Sequence, residues 1–198
     1  MSAVTNSNMT GKLEGVEAYN TNTKSNKFCA LMHERKATIC GVCYSHKMLD
    51  TFRKNCIPKF ERNSQAFAED IPAHLLPTTR GALVRLNAHG ELINASHLYN
   101  IHKLATKNPH STFALWTKRV GLVREYLKQN DKPKNLIFVY SNPTIDKPID
   151  PPRGFDKAFN NVTKQSGIKQ NCTGKKCIDC RVCYTVGSKP VRIVEAVK

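Results

Sequence analysis

The sequence is poor in acidic residues, long apolar runs and tryptophan, of which it has one. Fifteen Asp and Glu stand against 31 Lys and Arg, a formal net charge of +16. That imbalance points away from cationic partners and toward polyanions: nucleic acid, a nucleotide or an anionic inorganic cofactor. The longest apolar runs, such as Leu136 to Tyr140, fall far short of the roughly 20 residues a membrane helix needs. The opening Met1-Ser-Ala-Val-Thr-Asn-Ser-Asn lacks the basic-then-apolar pattern of a secretory signal, so a cytoplasmic chain is expected. Internal repeats and low-complexity tracts are absent too. With 40% apolar and 23% charged residues over 198 positions, the chain is no disordered polyelectrolyte. It has length for one domain with a small appendage.

Cysteine, by contrast, is plentiful: there are eight. In a reducing compartment that number indicates metal ligation or redox chemistry rather than a disulfide framework. The stronger set is Cys172-x4-Cys177-x2-Cys180-x2-Cys183, four thiols within twelve residues and no histidine among them. So compact a nest can wrap its backbone round one [4Fe–4S] cubane, whereas structural zinc sites usually split their ligands into two spaced pairs. The spacing favours iron–sulfur, with Zn2+ as the alternative. The second set is Cys29-x10-Cys40-x2-Cys43. Cys29 is expected in the loop after the first strand, and Cys43 at the opening of a helix, where the N-terminal potential stabilises a thiolate. Three cysteines leave a fourth position to another ligand. Cys56, twelve residues on from Cys43, either fills it or is a buried core thiol.

The pattern along the chain predicts an α/β fold, a partial (β/α) barrel with mainly parallel strands and a cysteine-rich C-terminal appendage. Residues 1–15 read as a polar N-terminal segment and residues 16–141 as the half-barrel domain. Residues 142–169 read as a proline-rich loop region, and residues 170–198 as the cysteine appendage. Strands are expected at Val16–Thr21, Ala82–Leu86, Thr112–Thr117 and Leu136–Ser141, with an edge strand at Val191–Val197, four or five in the barrel. Helical periodicity begins at Tyr44, is interrupted by Pro58, and resumes at Lys59–Glu69; further helices follow from Ser96 to about Asn108 and from Val120 to Asn130. Strands alternating with helices imply right-handed crossovers and a parallel sheet. Phe113 and Trp116, three apart on one strand, must face opposite sides of it.

Cys-x10-Cys-x2-Cys-Tyr44, Arg85-x4-Gly90-Glu91-Leu-Ile-Asn94, Phe113-Ala-Leu-Trp-Thr-Lys118 and the C-terminal nest occur in this order. The arrangement resembles the phage family named after gene product eighty-eight, over roughly residues 15 to 185. It also resembles phage proteins similar to radical S-adenosylmethionine (SAM) enzymes. The resemblance implies a partial barrel in which three cysteines hold a [4Fe–4S] cluster and SAM chelates the fourth iron. Gly90-Glu91 would sit where such proteins hold the SAM amino group, and the C-terminal nest would carry an auxiliary cluster. The usual spacing there is C-x3-C-x2-C, and the usual aromatic residue precedes the last cysteine, a position held here by Val42.

Other residues fall around this frame. Asn87 ends a strand near the expected site, as a turn residue or a hydrogen-bond donor. Lys118, in Thr117-Lys118-Arg119, either binds a carboxylate or phosphate at a strand end or helps cap the next helix. His33, between two cysteines, and His89, beside Gly90, are neighbours of the same region. His97 and His102 read as packing or surface residues. Lys164, Lys169, Lys175, Lys176, Arg181 and Lys189 surround the nest and would offset an anionic cluster. Basic residues in Lys47–Arg62 and Lys118–Lys134 could follow a phosphate backbone, although neither a nucleic-acid motif nor an aromatic ladder is present. The leading reading is therefore a radical-SAM-like iron–sulfur protein of unstated substrate. The alternatives are a basic, zinc- or cluster-stabilised module that binds nucleic acid, and a cluster-bearing redox sensor or electron carrier.

Overall fold

A computed structural model describes residues 2–187 and 189–197. Its centre is a sheet of seven strands in sequential order: β1 (Ser7–Asn8), β2 (Glu17–Tyr19), β3 (Leu83–Leu86), β4 (Thr112–Thr117), β5 (Leu136–Ser141), β6 (Lys157–Val162) and β7 (Arg192–Ala196). β1 pairs antiparallel with β2, and every later pairing is parallel. Strands that follow one another in space as in sequence wind in one direction, the strand order of a (β/α) barrel, here with β1 and β7 as edges.

The helices are α1 (Lys27–His33), α2 (Tyr44–Asp50), α3 (Ile57–Ala68), α4 (Ala95–Lys107), α5 (Val120–Gln129) and the single turn α6 (Cys177–Cys180). Phe67 of α3, Leu98, Ile101 and Leu104 of α4, and Val123 and Tyr126 of α5 pack with Val84, Leu86, Phe113, Leu115 and Phe138 of the sheet. The alternate strand positions Leu83, Ala114, Trp116, Ile137 and Val139 form a second core on the other face, with Tyr184, Ile178, Cys177 and Cys183 packed on it. Leu136 to Val139 are completely buried because both faces are covered, which is why the strand reads as a continuous apolar run. Phe113 and Trp116 do face opposite sides. The C-terminal cysteine segment thus covers the sheet face that α3, α4 and α5 leave bare.

Four sequence expectations need correction. Among the described residues the sheet has seven strands, where four or five were expected in the barrel. β6 lies inside the stretch read as loop; its buried Asn160 (0% exposed) is held by Asn142 and by both backbone groups of Ile149, so polar residues serve there as core. Cys29 is on α1 rather than in a loop, because the Asn26 side chain caps that helix by accepting from the Phe28 and Cys29 N–H groups. Pro58 sits in the first turn of α3 instead of ending a helix, a position where its missing N–H costs nothing.

Candidate functional site

The parallel strands end on one rim, and the loops beyond them carry the polar residues picked out from the sequence. β3 ends at Leu86, and Asn87, His89, Gly90 and Glu91 follow; β4 ends at Thr117 and Lys118 follows; β5 ends in Ser141. Ligand sites in parallel α/β folds gather at this rim. A cavity of about 540 Å³ opens there. Asn87, Gly90, Glu91 and Lys118 all line it, with Cys29, Cys40 and Cys43 on one wall and Cys172, Cys177 and Cys183 on another. Two cysteine sets far apart in sequence therefore face one chamber. Cys180 is exposed outside its lining, and Cys56, half-buried next to α3, is likewise outside it.

On the first wall, Cys29 rides on α1, and Cys43 is the N-cap residue of α2, as its position suggested. Between them the chain is pinned by the Ile39 N–H to the Pro143 carbonyl (2.9 Å) and by His33 Nδ1 against the Cys40 carbonyl oxygen (2.8 Å). The His33 ring also stacks on His46, centroids 4.2 Å apart, so His33 braces the cysteine loop. Burial pushes the Cys29 and Cys40 thiols up; Lys118 opposes the rise at both, while Glu91 and neighbouring thiols add to it. Lys118 answers in kind. Burial alone would lower its ammonium, but Cys40, Glu91, Cys43 and Cys29 outweigh that and hold its pKa above the ordinary lysine value. Its Nζ donates to Ser141 Oγ at 3.0 Å.

Glu91 is buried and anchored. One carboxylate oxygen accepts from the Leu92 N–H (2.8 Å) and the other from the Lys118 N–H (2.9 Å), which ties the β3 loop to the end of β4. Gly90 is in the left-handed region, where a β-carbon would strike the Thr21 hydroxyl and carbonyl; its N–H donates to Thr23 Oγ1. Asn87 is also left-handed (φ 57°), and its buried Nδ2 has no protein partner. The neighbouring Arg119 points elsewhere, its Nη1 donating to the Leu92 and Ile93 carbonyls.

Two cations stand at the second wall, Lys12, which the sequence did not single out, and Arg85, noted there only as a motif residue. Lys12 Nζ lies 3.6 Å from Cys172 Sγ and also donates to Glu195 on β7. Arg85, on β3, lays its guanidinium 3.2 Å above the centre of the Trp116 ring. Burial pushes the Cys177 thiol up and that of Cys183 up to about 12, with Arg85 opposing both. In the sequence Arg85 stood only as the first residue of Arg85-x4-Gly90-Glu91; a charge alternating with apolar residues in Leu83-Val-Arg-Leu86 is what places it on the Trp116 face. Lys176 pairs with Glu14 (3.0 Å) on the surface.

Every cysteine is a free thiol. Among the described residues no three His, Cys, Asp or Glu side chains close round a single ion. No described helix is long and apolar enough to cross a membrane.

A family model described as Gene product 88 matches residues 3–162, and the chain belongs to that family. The match ends before the C-terminal nest. No curated protein and no solved structure matches the chain.

Proposed function

We propose that this member of the gene product 88 family is an iron–sulfur protein of radical-SAM-like design. Cys29, Cys40 and Cys43 would hold one [4Fe–4S] cluster, and Cys172, Cys177, Cys180 and Cys183 an auxiliary one. The observation that carries this reading is the convergence of both sets on one chamber at the strand ends. Three features fit an anionic cluster with a bound cosubstrate. Lys118 and Lys12 supply positive charge on opposite walls. The Asn87 amide is an unpaired donor. Glu91 and Gly90 stand beside the three-cysteine wall, where a SAM amino group would be held.

When bound, a reduced cluster with SAM supplies radical hydrogen abstraction; that chemistry belongs to the cofactor. The chain's own residues position and shield it. Asn26 and Cys43 set the helix starts that present the thiols, and His33 fixes the intervening loop. Phe28, Met32, Ile39 and Val42 give the chamber an apolar lining. No side chain is assigned a general acid or base role.

The net charge of +16 favours a second reading, in which both cysteine sets are structural and the basic surface binds DNA or RNA. Anaerobic purification followed by a visible spectrum and iron, sulfide and zinc analysis separates the two. The proposal expects a brown protein with about four iron and four sulfide per cluster. It also expects 5′-deoxyadenosine on dithionite reduction with SAM. A colourless protein with about two zinc ions per chain, binding nucleic acid without SAM, overturns it.

A further inference from the structure

The chamber holds more hydrogen-bond donors than the thiols use. Trp116 is 7% exposed and Asn87 6% exposed, and both line the cavity. Their Nε1–H and Nδ2–H groups, and the Nε–H of Arg85, are buried with no hydrogen bond closed; the buried Tyr184 hydroxyl stands beside the same guanidinium and is itself left without a closed bond. The three nitrogens only donate, so the group that completes them must accept. A buried unpaired donor costs about 1–3 kcal/mol, which makes three round one cavity an arrangement shaped for a ligand. Charge points the same way. Lys12, Arg53, Arg85 and Lys118 line the chamber against two carboxylates, Glu91 and Glu195. Glu91 is already held by two backbone N–H groups and Glu195 by Lys12.

The guanidinium of Arg85 is fixed over the Trp116 ring, so its fork is oriented before anything binds. The rest of the lining includes Phe28, Met32, Ile39, Met48 and Phe159, and the volume suits a molecule of moderate size. Lys118 faces the first cysteine wall and Lys12 faces Cys172, which leaves the Arg85–Trp116–Asn87 face for a further ligand.

From this we infer that the chamber is a substrate seat for a small molecule with an anionic oxygen group, carboxylate or phosphate, on an apolar body. Arg85, Trp116 and Asn87 receive the anionic end. The inference rests on the proposed function in that it names the substrate class of the same site.

Isothermal titration of the anaerobically purified full-length protein with phenyl phosphate, benzoate and the neutral benzamide tests it, with iron and sulfide measured on each sample. At least one anion is expected to bind about tenfold or more tightly than benzamide. The tighter anion tells phosphate from carboxylate. Arg85→Gln should weaken that anion about tenfold or more. Trp116→Phe, which keeps an aromatic ring under the guanidinium but removes the indole N–H with its five-membered ring, should weaken it severalfold, and both variants should retain wild-type iron. Benzamide binding as well as both anions, or no anion binding, overturns the inference while a full iron count leaves the cluster reading standing. Anion binding by a protein without iron does the reverse. Loss of iron in parallel with anion binding in both variants would show that these donors serve the metal group, and would also overturn the inference.

Discussion

A β-carbon on Gly90 would lie 2.0 Å from the Thr21 hydroxyl oxygen and 2.6 Å from the Thr21 carbonyl, on a backbone with φ of +85°. The glycine is required by that close approach, whatever binds nearby. Gly90→Ala should therefore lower unfolding stability by roughly 2 kcal/mol or more, read from urea midpoints. An unchanged midpoint would refute the crowding. His97 supplies a second test at this scale. It is buried against Phe67, its Nδ1 accepts the Ile93 N–H, and burial holds its pKa down to about 3. An unfolded histidine binds its proton near pH 6.5, so between those values the unfolded chain carries a proton that the folded one lacks. Stability should then fall as pH drops below about 6.5, by up to about 1.4 kcal/mol per pH unit from this residue, with no contribution above it. Unfolding of wild type and His97→Asn at pH 7.5 and pH 5 measures the difference in slope. Equal slopes would contradict it.

Among the elements, α1 does most to shape the first cysteine wall and was the least legible. Its seven residues are too few for a clear 3.6-residue period, and the usable sign was Asn26, an N-cap residue at the right offset. β6 escaped notice for another reason: Lys157-Ala-Phe-Asn-Asn-Val162 buries an asparagine and a lysine, so its polarity contradicts its burial. The longer elements were readable because their periodicity is strong. β4 and β5 fall where the sequence placed them, and the opposite facing of Phe113 and Trp116 followed from strand geometry alone. Asn26 also donates from Nδ2 to the Glu91 carbonyl at 3.0 Å, which couples the cap to the β3 loop. Asn26→Ala should cost about 1 kcal/mol of stability and loosen Cys29, seen as lower iron retention after gel filtration. Asn26→Asp, which keeps the cap acceptor, should restore most of the stability. Equal loss in both variants would rule out the cap.

At the scale of the whole molecule, the sequence set two cysteine groups at opposite ends of the chain with no means of showing that they meet. Their meeting depends on the β6–β7 connection crossing the sheet face that the helices leave uncovered, a fact of topology invisible to local pattern. The same holds for Arg85 and Lys12, whose importance lies in what they face. Cys56 stands beside α3, outside the chamber lining and away from the three-cysteine wall. Cys56→Ala should keep the full metal content, and loss of about half the iron would place it among the ligands. The central claim, that both sets carry clusters on a shared chamber, is tested most directly by one measurement. Iron, sulfide and zinc are counted after identical anaerobic reconstitution of three proteins: wild type, a Cys29→Ala/Cys40→Ala/Cys43→Ala variant and a Cys177→Ala/Cys183→Ala variant. The account predicts about eight iron and eight sulfide in wild type and about half of each in either variant. Zinc in place of iron, or an iron count that neither variant lowers, would contradict it.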